Sequence, residues 1–198
     1  MINSNAKTIG VLALQGDYEA HAKQLKLLGV IAVEVRLPKN LEGLDALILP
    51  GGESTTMNKL IDRFGLRQPL TEFCKAKPVW GTCAGMIMLS KNIEDNQANV
   101  TPFGLLDIDV LRNGYGRQVF SFEDSIDVSF GNGTSKLAAT FIRAPKVTRL
   151  GKDVKVLGQL NNEPVLISQK NILASAFHTE LSNDTTLLNY FLTKFLNG

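Results

Sequence analysis

Apolar and polar positions follow two rhythms along this chain, and the change between them divides it. In the first half, short apolar runs are followed by stretches whose apolar residues recur every three or four positions. Residues 8–14 form such a run and predict a buried strand. Residues 17–28 place Tyr18, Ala22, Leu25 and Leu28 on one helix face, and Gly29 stops that helix. Strands are predicted at 32–35 and 46–49, then a short helix capped by Ser54 after the Pro50-Gly51-Gly52 turn, then a helix over 69–76. Residues 78–81 are short and apolar, and 84–89 read as helix again. From about Val110 the pattern changes. Residues 119–130 mix β-formers with polar side chains, and Gly131-Asn132-Gly133 signals a turn. Residues 154–160, 165–169 and 172–175 read as short strands in hairpin-like succession, and 185–196 close the chain as an amphipathic helix.

Strands alternating with helices imply right-handed crossovers and a three-layer α/β fold, its mainly parallel sheet flanked by helices, with short antiparallel additions. No repeat, linker or low-complexity stretch interrupts the pattern, so one domain over residues 1–198 is expected. Composition narrows the function. Hydrophobic residues make up 44% and charged residues 20%, which suits a globular chain and excludes a disordered one. The net charge is +2 and no basic run is long enough to track a phosphate backbone, so nucleic acid is not expected as a partner. No apolar stretch reaches bilayer length, and the first residues lack the apolar core of a secretory signal. A cytoplasmic chain with two reduced cysteines, Cys74 and Cys83, is the expectation.

Gly81-Thr82-Cys83-Ala84-Gly85 joins a predicted strand to a predicted helix. This is the glycine-flanked nucleophile turn with Cys in place of Ser, which exposes the central side chain at the carboxyl edge of a sheet. The helix start after Cys83 favours a thiolate, and the free backbone N–H of Ala84 can face a developing oxyanion. A lone Cys is more often a small buried residue, and Cys74, in mid-helix without glycines, is read that way.

A thiol nucleophile needs a base and something to orient it. The chain has two histidines. His178 lies in Phe177-His178-Thr179-Glu180-Leu181, beyond the strand at 172–175, and residues two apart in an extended segment point to the same side. Glu180 can therefore hold the His178 ring while the other nitrogen serves Cys83. His21, on the first predicted helix with no neighbouring orienter in sequence, is read as a structural or interface residue. A second glycine-rich turn, Pro50-Gly51-Gly52-Glu53-Ser54, lacks the length and Lys of a phosphate loop. The N–H of Gly52 can supply a second oxyanion donor. These residues describe acyl transfer, without distinguishing an amide from an ester.

Six blocks then resemble one family: Gly10-Val11-Leu12-Ala13-Leu14-Gln15-Gly16, Pro50-Gly51-Gly52-Glu53-Ser54-Thr55-Thr56, Gly81-Thr82-Cys83-Ala84-Gly85, Arg112-Asn113-Gly114-Tyr115-Gly116-Arg117-Gln118, Phe141-Ile142-Arg143-Ala144-Pro145 and Phe177-His178-Thr179-Glu180-Leu181. The family is the glutaminase subunit of pyridoxal 5′-phosphate synthase, a triad-type (class I) glutamine amidotransferase with a flavodoxin-like fold. The resemblance implies catalytic residues Cys83, His178 and Glu180, glutamine contacts from Gly51, Gly52, Glu53, Arg112, Ile142 and Arg143, and no cofactor or metal. It implies L-glutamine as substrate and a barrel-fold synthase ring as partner, which receives ammonia and switches the glutaminase on when docked. Gln15 would lie near the Gly52 peptide and help set that switch, and Arg117 is assigned to the partner interface. Relatives commonly carry Pro where Thr179 stands. Two other readings are a small glutaminase serving histidine, anthranilate or purine synthesis, and an inert or redox-sensing binding module of the same fold in which Cys83 merely oxidises.

Overall fold

The structure, a computed structural model, describes residues 7–114, 121–131 and 133–196. The first half alternates as its apolar rhythm requires: β1 (Thr8–Leu12), α1 (Tyr18–Leu27), β2 (Ile31–Val35), β3 (Ala46–Leu49), α2 (Ser54–Arg63), α3 (Arg67–Ala76), β4 (Val79–Thr82) and α4 (Ala84–Leu89). A strand-rich half follows with β5 (Ser90–Ile93), β6 (Leu106–Leu111), β7 (Ser121–Ser129), β8 (Thr134–Ile142), β9 (Lys146–Leu150), β10 (Lys155–Leu160), β11 (Glu163–Gln169) and β12 (Ile172–Ser175), and α5 (Thr186–Leu196) comes last. One sheet has the strand order β2-β1-β3-β4-β12-β11-β10-β7-β8. Pairing is parallel from β2 to β12 and antiparallel from β12 to β8. The expected parallel sheet with antiparallel additions is therefore present. A separate three-stranded sheet, β5-β6-β9, stands beside it.

The parallel strands β3, β4 and β12 are buried at every position, as a sheet covered on both faces demands. Trp80, Phe141, Phe177 and Phe191 are the largest buried side chains of a core that runs through both halves. Among the described residues, no helix is long and apolar enough to cross a membrane.

Two helix starts differ from the sequence reading. The cap of α2 is Glu53, whose backbone is still extended and whose carboxylate accepts from the N–H groups of Thr55 (2.9 Å) and Thr56 (2.7 Å). Ser54 is already helical, and the longer Glu side chain folds back over the first turn in its place. Helix α3 begins at Arg67, two residues before Pro69, because a proline in the first turn removes only an N–H that the helix leaves unpaired.

The pairing that matters for function is β4 with β12. Their parallel register sets Thr82 beside Ser175, and the Cys83 N–H donates to the Ser175 carbonyl at 2.8 Å. The chain leaving each strand therefore emerges at the same sheet edge, where open α/β sheets place their ligands.

Candidate active site

Cys83 sits between β4 and α4 with φ 48° and ψ −100°, a conformation an L-residue rarely adopts. Flanking glycines allow it. A Cβ on Gly85 would lie 2.1 Å from the Leu49 carbonyl oxygen of β3, and one on Gly81 would lie 2.6 Å from Leu89 and 2.7 Å from Gly85. Helix α4 thus packs backbone-to-backbone on the sheet, and this close approach forces the sharp bend that turns Cys83 toward the edge. Its sulfur lies 3.9 Å from the Ile142 carbonyl oxygen. Cys74 is buried in α3, and burial pushes its thiol up to about 12, which leaves it inert.

His178 follows β12 and is fixed on its far side by β8. The His178 N–H donates to the Thr140 carbonyl at 2.8 Å, and the Thr140 N–H returns a bond of 3.2 Å. The ring Nδ1 lies 2.6 Å from Glu180 Oε1, and both side chains are almost wholly buried. Burial works against a charge on the His178 ring, but contacts with the Cys83 sulfur and the Glu180 carboxylate outweigh it and raise the imidazole well above its usual value. Burial likewise favours a neutral Glu180, yet His21 and His178 hold this carboxyl well below the ordinary range. The site therefore favours an imidazolium held between sulfur and carboxylate, the arrangement that activates a thiol.

The sulfur and the imidazole open onto a pocket of about 350 Å³ lined by Asp17, Gly52, Glu53, Ser54, Cys83, Ile87, Arg112, Asn113, Ile142, Arg143 and His178. On the far side from the triad, Arg112 Nη2 donates to Glu53 Oε1 (3.1 Å) and to the Thr55 hydroxyl (3.0 Å). Burial works against the Glu53 charge, but the N–H groups of Thr55 and Thr56 and the Thr56 hydroxyl bring its carboxyl down to about 2. Gln15 Oε1 accepts from the Glu53 N–H at 3.0 Å, and Gly52 adopts φ +134° in front of that amide. Arg143 is exposed at φ +44°, next to the Ile142 carbonyl that meets the sulfur.

The structure brings together Cys83, His178, Glu180, Gly52, Glu53, Arg112, Ile142 and Arg143. Gly51 lies elsewhere in the arrangement: it is buried behind the triad, and a Cβ there would stand 2.2 Å from His178 Cε1. Ala84 is fully buried as the first residue of α4, so only its backbone can serve a substrate. Residues 115–120, including Arg117, fall outside the described residues. Sequence reasoning passed over Asp17, which lines the pocket with Oδ2 3.7 Å from His178 Nδ1. Its position just after β1, at the ligand-binding edge, was the available signal. His21, read from the sequence as a structural or interface residue, is buried with its Nε2 3.5 Å from Glu180 Oε1. Asp17, His178 and Glu180 bring three potential ligand atoms within 4.8 Å of one another, but a cation there would have to break the 2.6 Å bond that serves the triad.

The chain resembles known proteins along almost its whole length. Residues 11–197 match the SNO glutamine amidotransferase family. The chain is 47% identical over 186 residues to the pyridoxal 5′-phosphate synthase subunit PdxT of Dehalococcoides mccartyi, covering 93% of this chain and 95% of that one. It is 44% identical over 191 residues to the PdxT of Listeria innocua, covering 96% and 100%. A crystal structure of a glutamine amidotransferase superposes with a TM-score of 0.88 at 45% identity, covering 96% of this chain and 99% of that one. PurLQS from Thermotoga maritima, at 14% identity and a TM-score of 0.69 over 96% of this chain and 98% of that one, shares the fold. On these matches, the chain belongs to the SNO glutamine amidotransferase family.

Proposed function

We propose that this chain is the glutaminase of a pyridoxal 5′-phosphate synthase, hydrolysing L-glutamine to L-glutamate and ammonia through a thioester on Cys83. The observation that carries the reading is Cys83 on its strained turn, facing the His178–Glu180 pair at the mouth of a pocket walled by charges of both signs. A free amino acid brings an ammonium and a carboxylate at one end and a neutral amide at the other. Asp17 and Glu53 offer carboxylates and Arg112 and Arg143 offer guanidinium groups, and Ile87 and Ile142 also line the pocket.

The steps follow from these positions. The Cys83 thiolate attacks the γ-carboxamide carbon, and its oxygen becomes an oxyanion facing the backbone N–H groups of Ala84 and Gly52. The imidazolium of His178 passes its proton to the leaving nitrogen, ammonia departs, and a γ-glutamyl thioester remains. His178, now neutral, takes a proton from water, whose oxygen attacks the thioester and frees glutamate and the thiol. Glu180 holds the ring and balances its charge throughout. Gly51, Gly52, Glu53, Arg112, Ile142 and Arg143 surround or support the bound glutamine. The partner that consumes the ammonia is the synthase subunit, a barrel-fold ring, and the reaction takes place in the cytoplasm.

Glutamine hydrolysis by the purified chain, measured alone and with its cognate synthase subunit, tests the reading. Adding the synthase raises the rate. Replacing Cys83→Ala abolishes it while leaving the fold intact, since the change removes only the sulfur atom from the turn. Undiminished hydrolysis by Cys83→Ala refutes the reading.

A further inference from the structure

Helix α1 turns two polar side chains, one helical turn apart, into the protein interior. Both meet the segment that carries the base. Gln24 is 3% exposed, and its Nε2 donates to the carbonyls of Thr179 (3.0 Å), Ser182 (3.2 Å) and Asp184 (3.2 Å). His21 is 1% exposed, and its Nε2 lies 3.5 Å from Glu180 Oε1, the same oxygen that His178 Nδ1 meets at 2.6 Å. Its ring stands edge-on to Trp80 of β4, with centroids 5.3 Å apart, and Trp80 is anchored by donating from Nε1 to the Ser175 hydroxyl at 3.1 Å. A polar side chain buried this deeply is costly unless partnered; neither His21 ring nitrogen has a formed hydrogen bond, and the Glu180 carboxylate, with Oε2 also unpartnered, lies within reach of Nε2.

From this geometry we infer that His21 is a positioning residue of the glutaminase, the second imidazole that holds Glu180 ionised and aimed at His178. The inference deepens the glutaminase reading and rests on it. A 3.5 Å separation is an ion-pair distance longer than a formed hydrogen bond, and such contacts tighten when substrate fills a site. The other titratable groups facing this cluster are His178 and Glu180 after β12, Asp17 at the start of α1, and Cys83 across the His178 ring. β4 contributes only the uncharged Trp80 ring. Once His178 is neutral in the second half of the reaction, His21 is the remaining donor able to keep a proton from settling on Glu180.

The test uses the chain in complex with its cognate synthase subunit, comparing wild type with His21→Leu and His21→Gln. His21→Leu fills a similar space without a donor, whereas the Gln side-chain nitrogen can stand near the original Nε2. The expected result is a kcat for His21→Leu lower by roughly 10- to 100-fold with KM little changed, the range seen when an outer-shell group that orients a functional side chain is removed. The acid limb of the rate profile moves up by about one pH unit, because Glu180 loses a group that keeps it ionised. His21→Gln recovers most of the rate. A merely structural role predicts the opposite pattern, with equal losses in both variants and an unmoved pH profile, and that result overturns the inference. Should His21→Leu fail to fold, ¹⁵N-edited NMR of the wild-type complex decides: a proton on His21 Nε2 supports the assignment, and a bare Nε2 overturns it. A wild-type complex that hydrolyses no glutamine removes the glutaminase reading and this role with it. An active wild type matched by His21→Leu removes this role alone.

Discussion

Two glycine-rich turns end neighbouring parallel strands, and they are built on opposite principles. The turn after β4 is fixed by close packing. Gly81 and Gly85 admit no side chain, α4 lies directly on β3, and every residue of α4 is buried. The turn after β3 is held by polar contacts: Gln15 on the Glu53 amide and Arg112 on the Glu53 carboxylate from outside the turn, and Glu53 itself on the first turn of α2. Gly52 and Glu53 are exposed, whereas Cys83 is 5% exposed. The difference teaches how the site divides its work. The nucleophile is placed by steric necessity, which tolerates nothing larger than hydrogen. The substrate side is placed by hydrogen bonds, each worth about 1 kcal/mol and each able to exchange partners.

Breaking the packed turn has the largest expected effect. Gly85→Ala forces a Cβ against the Leu49 backbone, which cannot yield as a flexible side chain would. A loss of about 2–4 kcal/mol of stability and nearly all glutaminase activity is expected, measured by denaturant unfolding and ammonia release. A smaller effect follows from Gly52→Ala. There the added methyl meets the end of the flexible Gln15 side chain, but φ +134° is strained for any L-residue, so about 1–3 kcal/mol is expected. Activity should fall more than stability, because the strain is relieved by moving the peptide that faces the substrate. Equal effects from the two substitutions would erase the contrast.

The mildest test acts on Glu53. Its carboxyl, ordinarily near 4.5, is brought to about 2 in the folded chain, so the group stabilises the fold fully above its unfolded value. That contribution is lost as pH falls from 4.5 toward 2. In Glu53→Gln the wild-type advantage should be present at pH 7, shrink over that window and vanish at its foot, in thermal melts across the range. An advantage independent of pH would mean that capping by the charged carboxylate contributes nothing.

Where the sequence was legible, the signal was local. The apolar runs of β3 and β4, the glycines about Cys83, and the two-residue spacing of His178 and Glu180 each declare themselves within a few positions, and the 2.6 Å bond follows from the last. What local pattern could not reveal is which distant strands meet. The run at 172–175 reads as the end of a hairpin succession, and it does pair with β11, but its other edge completes the parallel half beside β4. Nothing in four apolar residues encodes that neighbour. The approach of His21 to Glu180 was hidden for the same reason, since the two are remote in sequence and are brought near by the packing of α1. Strand β6 is different: Leu106, Ile108 and Val110 alternate with Asp107, Asp109 and Leu111 in a period-two pattern that matches its burial and was open to reading.

Covalent trapping tests the central claim most directly. The chain with its synthase subunit is treated with a diazoketone analogue of glutamine, and the adduct is mapped by mass spectrometry. A single adduct on Cys83, prevented by excess glutamine and absent when His178→Asn replaces the base, is the predicted result. Labelling of Cys74 in the folded chain, or an adduct on Cys83 indifferent to glutamine, would contradict the account.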